Sequence, residues 1–332
     1  MLMLRSFHFD LRHTVVEWSH IRLAVWKSTM TKVTILDGGM GRELKRIGAP
    51  FSQPLWSAQA LIESPKHVAQ AHLGFIEAGA EIITVNSYAC VPFHLGEELY
   101  AEQGAELAEK AAKIARDTVT ESQQEVLVAG SIPPAFGSYR PDLFEEQKAF
   151  DISDTLFKAQ EPYVDIWLAE TVASIAEAEV ITKVLSKTDK PSYISYTLID
   201  EVDEPARLRS GELVTEAVAE LLKTNASGIF FNCSIPEVVE QAIKDVNQVL
   251  EKAGKTLTIG VFANSFTPIK SGHQANDTIQ ELRNFSPVEY LEFAKTWQAL
   301  GASIIGGCCG IEPSHIQELA AWSDSLVNET EQ

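Results

Sequence analysis

Eight short apolar runs, each followed by a longer stretch with helical periodicity, constrain the fold of this chain more than any other feature of its sequence. The runs are Val33–Leu36, Glu81–Val85, Val126–Ala129, Ile166–Ala169, Tyr193–Thr197, Gly228–Phe231, Leu257–Phe262 and Ser303–Ile305. Several are rich in Ile and Val, as strands of a parallel sheet covered on both faces are. Two intervening helices carry the same punctuation: Ser64-Pro65 opens one and Gly79 closes it, while Ser286-Pro287 opens the other and Gly301 closes it. A serine cap, a proline in the first turn and a glycine past the end are the expected boundary signals. Eight such units in about 300 residues predict an α/β protein of the (β/α)8 TIM-barrel type spanning residues 31–325. An open doubly wound sheet shares the local pattern and is the alternative.

Residues 1–30 stand apart. They hold Arg5, Arg12, Arg22 and Lys27 against Asp10 and Glu17, whereas the whole chain carries −19. They are read as an N-terminal extension, either a disordered arm or sequence upstream of a start at Met30. The acidic balance argues against nucleic acid or an anionic membrane as partner, since both would repel it. No run reaches the roughly 18 apolar residues of a membrane helix. Small-molecule substrates are the expected partners. Four cysteines in 332 residues do not make a secreted disulfide framework. The N-terminus lacks the apolar core of a signal peptide. A cytoplasmic, reducing setting is therefore expected.

In a barrel the chemistry sits where strands end and the following loops begin. Polar residues occupy those places: Asp37, Asn86, Ser131 and Glu170 after the first four strands, then Asn232-Cys233, Asn264 and Cys308-Cys309 after the last three. Three of the four cysteines would then share one rim. Adjacent residues of an extended strand point to opposite faces, so Cys308 and Cys309 can serve one ion only if the chain bends. Gly306, Gly307 and Gly310 permit a bend. The pair alone lacks the spacing of a structural zinc motif. It reads as well as apolar filling, or as a strained vicinal disulfide. Cys233 at another strand end favours zinc, which three thiolates bind while leaving a position for substrate. Such a site would hold an incoming thiol as thiolate and suits alkyl transfer to sulfur. Cys90 reads as an ordinary core cysteine.

These residues resemble the zinc-dependent homocysteine S-methyltransferases. The matching stretches run in order along the chain: "ILDGGMGREL" (35–44), "AGAEIITVNSY" (78–88), "VAGSIPP" (128–134), "AET" (169–171), "FNCS" (231–234), "VFANS" (261–265) and "GGCCGIEPSHI" (306–316). The resemblance implies a (β/α)8 barrel with Zn2+ on Cys233, Cys308 and Cys309 and the sulfur of homocysteine as the substrate ligand. It also implies that Asp37 and Glu170 hold the substrate's α-ammonium group. Asn86 belongs to the same substrate site. The N–H groups of the loop that begins Gly38-Gly39 would take the α-carboxylate. Without the resemblance, Asp37 would read as a helix cap and Glu170 as a surface ion-pair partner.

The chain departs from the family pattern around the donor pocket. Gly310-Ile311-Glu312 follow the cysteine pair, "NSYACVPFHLGEE" follows the second strand, and "GSIPP" the third. Only 23 residues follow Cys309, so the resemblance points to compact members that use S-methylmethionine or S-adenosylmethionine. Tyr88 or Phe93 would face the sulfonium by cation–π contact. The alternatives are a betaine-dependent enzyme, transfer to another thiol or a selenol, and a barrel that binds zinc without catalysis. A Rossmann-type methyltransferase fits less well, because its second strand should end in an acidic residue and here Val85-Asn86 stand there.

Overall fold

The computed structural model describes residues 32–269 and 280–330; the extension at 1–30 lies outside the described residues. Eight parallel strands form one sheet in the order β1-β8-β7-β6-β5-β4-β3-β2. They are β1 (Thr34–Ile35), β2 (Ile82–Thr84), β3 (Leu127–Ile132), β4 (Ile166–Val172), β5 (Ser192–Tyr196), β6 (Gly228–Asn232), β7 (Thr258–Phe262) and β8 (Ala302–Ile305). Leu36 bridges Ile82, Glu81 N donates to Ile35 O at 2.7 Å, and Asp37 N donates to Ile82 O at 3.0 Å. Those contacts join the two edge strands and close the sheet into a barrel. The open doubly wound alternative is excluded.

Each strand leads into helix. After β1 come α1 (Met40–Arg46), α2 (Ser57–Glu63) and α3 (Pro65–Glu77); after β2, α4 (Pro92–Leu95) and α5 (Glu97–Ser122). One helix follows each remaining strand: α6 (Glu146–Gln160), α7 (Ile175–Leu185), α8 (Val214–Leu221), α9 (Val239–Ala253), α10 (Pro287–Ala299) and α11 (Pro313–Thr330). At α10 the expected cap forms in full: Ser286 Oγ accepts from Glu289 N, and Glu289 returns a carboxylate to Ser286 N. At α3 the serine acts differently. Ser64 Oγ pairs with His67 Nδ1 at 2.7 Å and makes no backbone cap bond, because the imidazole competes for the same hydroxyl. Among the described residues no helix is long and apolar enough to cross a membrane.

The two-residue period of the strands sorts the core. Leu36, Ile82, Ala129, Ile166, Leu168, Phe230, Phe262 and Ile304 fill the barrel interior. Ile35, Ile83, Val128, Trp167, Ile229, Phe231, Val261 and Ile305 face the helices. Phe230 fits inside because its neighbour Gly260 has no side chain; a Cβ there would stand 2.6 Å from the ring. Continuing the inward rows by steps of two puts Thr84 above Ile82, Ser131 above Ala129 and Glu170 above Leu168. Asn232 follows Phe230, and Asn264 follows Phe262. The apolar floor thus turns into a polar mouth at the strand ends.

Candidate active site and metal centre

The mouth opens into a cavity of roughly 1150 Å³, counting its open side, on which Asp37, Asn86, Glu170, Cys233, Cys308 and Cys309 all border. The sulfurs of Cys233, Cys308 and Cys309 lie within 4.8 Å of one another. Local backbone structure brings them there. Gly310 takes a φ of +85°, and Ile311 N donates to Cys308 O at 3.0 Å, so residues 308–311 form a tight turn. Gly307 N donates to Asp37 O and Cys308 N to Ala263 O, both at 2.9 Å, which pins that turn to its neighbours on either side. A Cβ at Gly306 would stand 2.6 Å from the carbonyls of Leu36 and Asp37, so only glycine permits this approach.

Cys233 reaches the cluster through a left-handed backbone, with φ of +49°. Its carbonyl accepts from Tyr139 Oη at 3.1 Å and Thr197 Oγ1 at 3.3 Å. Among the described residues five non-glycine residues have positive φ, and of these Trp56, Tyr139 and Cys233 line the cavity. A fourth, Thr171, follows Glu170 directly; the fifth, Gln123, ends α5. Each such conformation costs about 1–2 kcal/mol and persists only where the surroundings enforce it. Asn232 does so at Thr171: its Oδ1 accepts from Thr171 N (2.8 Å) and Ser195 Oγ (2.7 Å), and its Nδ2 donates to Thr171 Oγ1 (2.9 Å).

The sulfurs of Cys233 and Cys308 are in direct contact, with Cα atoms 5.8 Å apart, and the sulfur of Cys309 completes the group. Side chains close enough to share an ion are also close enough to oxidise to each other, and no vicinal 308–309 bond forms. Reduced, the three sulfurs form a soft donor set suited to a thiophilic metal. No other group of three such side chains occurs among the described residues. Cys90 is fully buried in the apolar core, where desolvation pushes its thiol up to about 12.

Two carboxylates border the same cavity. Asp37 accepts from Thr84 N at 2.7 Å and Thr84 Oγ1 at 3.1 Å. Glu170 accepts from Ser131 Oγ at 2.5 Å. Burial pushes Asp37 up to about 8, opposed by the Thr84 amide and reinforced by the neighbouring charge of Glu170. Burial pushes Glu170 up to about 7, opposed by Ser131. Asp37 is buried and Glu170 half-buried; without a cation beside them both are held near neutrality, which is the condition an incoming ammonium relieves. Asn86 lies beside them, its Nδ2 donating to Ser57 O at 3.4 Å. Gly39 N is committed to Ile311 O at 2.9 Å, so that member of the expected carboxylate-binding loop is already bonded. Asn264 is fully buried; its Oδ1 accepts from Phe266 N at 3.1 Å and its Nδ2 has no protein partner.

Trp56, Tyr88, Tyr139, Phe262 and Phe266 form much of the remaining wall. Tyr88 is positioned by a 2.7 Å bond to Ser138 Oγ. Phe93 is set behind it, in contact with the His94 ring and covering Gly137. His94 also borders the cavity; burial depresses its pKa to about 4, so it is neutral there. Sequence reasoning passed over Trp56, Thr84 and Tyr139. Thr84 was legible as the next inward position after Ile82, but Trp56 and Tyr139 arrive from loops whose paths no periodicity predicts.

Residues 34–323 match the family model described as homocysteine S-methyltransferase. The chain belongs to the homocysteine S-methyltransferase family. It is 31% identical over 314 residues to homocysteine S-methyltransferase 1 of Arabidopsis thaliana, covering 86% of this chain and 92% of that one. It is 29% identical over 315 residues to homocysteine S-methyltransferase of Escherichia coli, covering 88% and 95%. The crystal structure of the homocysteine methyltransferase MmuM from Escherichia coli in its metallated form superposes with a TM-score of 0.71 at 26% identity. It covers 88% of this chain and 96% of that chain; an oxidized form gives 0.70. The family makes this chain a methyltransferase, and the barrel it shares with MmuM is the fold expected from its sequence.

Proposed function

We propose that this enzyme transfers a methyl group from a sulfonium donor, S-methylmethionine or S-adenosylmethionine, to the sulfur of L-homocysteine, giving methionine. Zinc held by Cys233, Cys308 and Cys309 is the proposed cofactor. The observation that carries this reading is the convergence of three sulfurs and two carboxyls on one cavity. When bound, zinc supplies positive charge that keeps the substrate sulfur a nucleophilic thiolate at neutral pH.

The chain's own residues do the remaining work. Asp37 and Glu170 bind the α-ammonium group of homocysteine and so orient its thiol toward the cysteine cluster. Thr84 and Ser131 fix those carboxylates and need not move when substrate arrives. Trp56, Tyr88 and Phe262 exclude water and present ring faces to the donor cation. His94, being neutral, adds no repulsion. Sulfonium and thiolate become two neutral thioethers as one S–C bond forms and the other breaks. A water-poor cavity favours that loss of charge. The thiols call for a reducing compartment such as the cytoplasm.

The test is methionine formation from homocysteine and S-methylmethionine by reduced, zinc-loaded protein. Methionine production that disappears with the metal in Cys233→Ser supports the reading. Normal activity and metal content in that variant would refute the ligand assignment, and zinc-loaded protein that makes no methionine from either sulfonium would refute the donor.

A further inference from the structure

The charges of the cavity are divided between its sides. Asp37 and Glu170 are held by Thr84 of β2 and Ser131 of β3. Arg42 is the one Lys or Arg among the described lining residues, and α1 turns it the other way, toward the loop after β7. Its Nη2 donates to the Gln280 carbonyl at 2.9 Å, and its guanidinium carbon stands 6.0 Å from the centre of the Phe266 ring. Among the described residues its Nε is buried without a partner, and no carboxylate among them forms an ion pair with it. A half-buried guanidinium with one carbonyl and no counter-ion among the described residues is incompletely satisfied by them.

We propose that Arg42 receives the carboxylate of the methyl donor, making the donor subsite one for onium compounds that also carry a carboxylate. This rests on the methyl-transfer reading above. Homocysteine, drawn by its ammonium group to Asp37 and Glu170, places its zwitterionic end on the β1–β4 side. A second zwitterion reaching the cysteine cluster from the β7 side meets Arg42. A bare sulfonium is repelled by the guanidinium, whereas a sulfonium with its own carboxylate is attracted. One side chain thus both selects the donor and rejects simpler cations. A planar fork also fixes the direction of the carboxylate, which a lysine's point charge does not.

The experiment compares wild type with Arg42→Gln and Arg42→Lys, using S-methylmethionine and trimethylsulfonium as probes. Turnover of both is measured on reduced, zinc-loaded protein, and binding of both by calorimetry. Losing a charge-assisted contact lowers the preference for S-methylmethionine over trimethylsulfonium about ten- to hundredfold in Arg42→Gln. Homocysteine KM and zinc content stay as in wild type, and Arg42→Lys recovers part of the preference. An equal loss for both probes would mean Arg42 acts only through packing. A rise in homocysteine KM with the donor KM unmoved would assign Arg42 to the other substrate. Either result overturns the proposal. Binding of S-methylmethionine that depends on Arg42 without methyl transfer would refute the reaction and leave the subsite standing. Turnover with binding indifferent to Arg42 would refute the subsite alone.

Discussion

Glu170→Gln isolates the charge of one carboxylate while keeping its shape and an oxygen to accept the Ser131 hydroxyl. A charge-assisted hydrogen bond to an ammonium group is worth about 1.5–3 kcal/mol. That range lies between Coulomb limits of roughly 1 and 4 kcal/mol at 4 Å, for water and for a protein surface respectively. At about 1.4 kcal/mol per factor of ten, amino-acid affinity should fall about ten- to hundredfold. The pH dependence makes the test sharper. With its pKa raised to about 7, Glu170 acquires charge only as pH rises, going from roughly a tenth ionised at pH 6 to roughly nine-tenths at pH 8. Affinity for an ammonium ligand therefore climbs about tenfold over that interval, with Asp37 at about 8 extending the rise upward. L-Methionine, which has the ammonium group and no thiol, is the appropriate ligand, followed by calorimetry from pH 6 to 8.5. The variant should lose the step near pH 7, and the Asp37 step should move below pH 8, because the charge of Glu170 contributes to the rise at Asp37. Unchanged affinity and an unchanged profile would refute ammonium recognition by Glu170.

In denaturant all four cysteines of the reduced protein should react in a thiol titration, whereas zinc bound to the native protein should slow the reaction of Cys233, Cys308 and Cys309; an unchanged rate with zinc present would refute the ligand set. Asn232→Ala removes three buried hydrogen bonds at once. It should cost about 3–5 kcal/mol of stability in chemical denaturation and lower activity in the surviving folded protein, because it releases Thr171 beside Glu170. A loss under 1 kcal/mol would contradict the network. At His72 both ring nitrogens are buried without partners among the described residues, and burial holds the pKa down to about 4. The unfolded chain protonates near pH 6.5 while the folded protein resists until about 4. Stability is thus lost as pH falls through that window, by up to roughly 3 kcal/mol from this group. His72→Leu should reduce that acid sensitivity; urea melts at pH 5 and 7.5 would show an unchanged difference if the argument is wrong.

Much of the fold was legible in the chain, because a parallel strand buried on both faces must be apolar and a barrel must repeat it. All eight strands lie within two or three residues of the apolar runs that predict them. The helix from Pro287 begins at its serine and proline for equally local reasons. Glu170 is readable too, as the next inward position after Ile166 and Leu168. Tertiary structure alone decided how these pieces meet. The single bridge from Leu36 to Ile82 distinguishes a barrel from an open sheet, and nothing local to either residue announces it. Cys233 and Cys308 are 75 residues apart, and their contact depends on a left-handed backbone held by Tyr139 and Thr197. The orientation of Arg42 toward the loop after β7 is likewise invisible in "GGMGREL". Periodicity records which face of an element is buried. It carries no record of which loops, arriving from distant parts of the chain, will stand opposite, and it is that juxtaposition which sets charge, strain and pKa in the cavity.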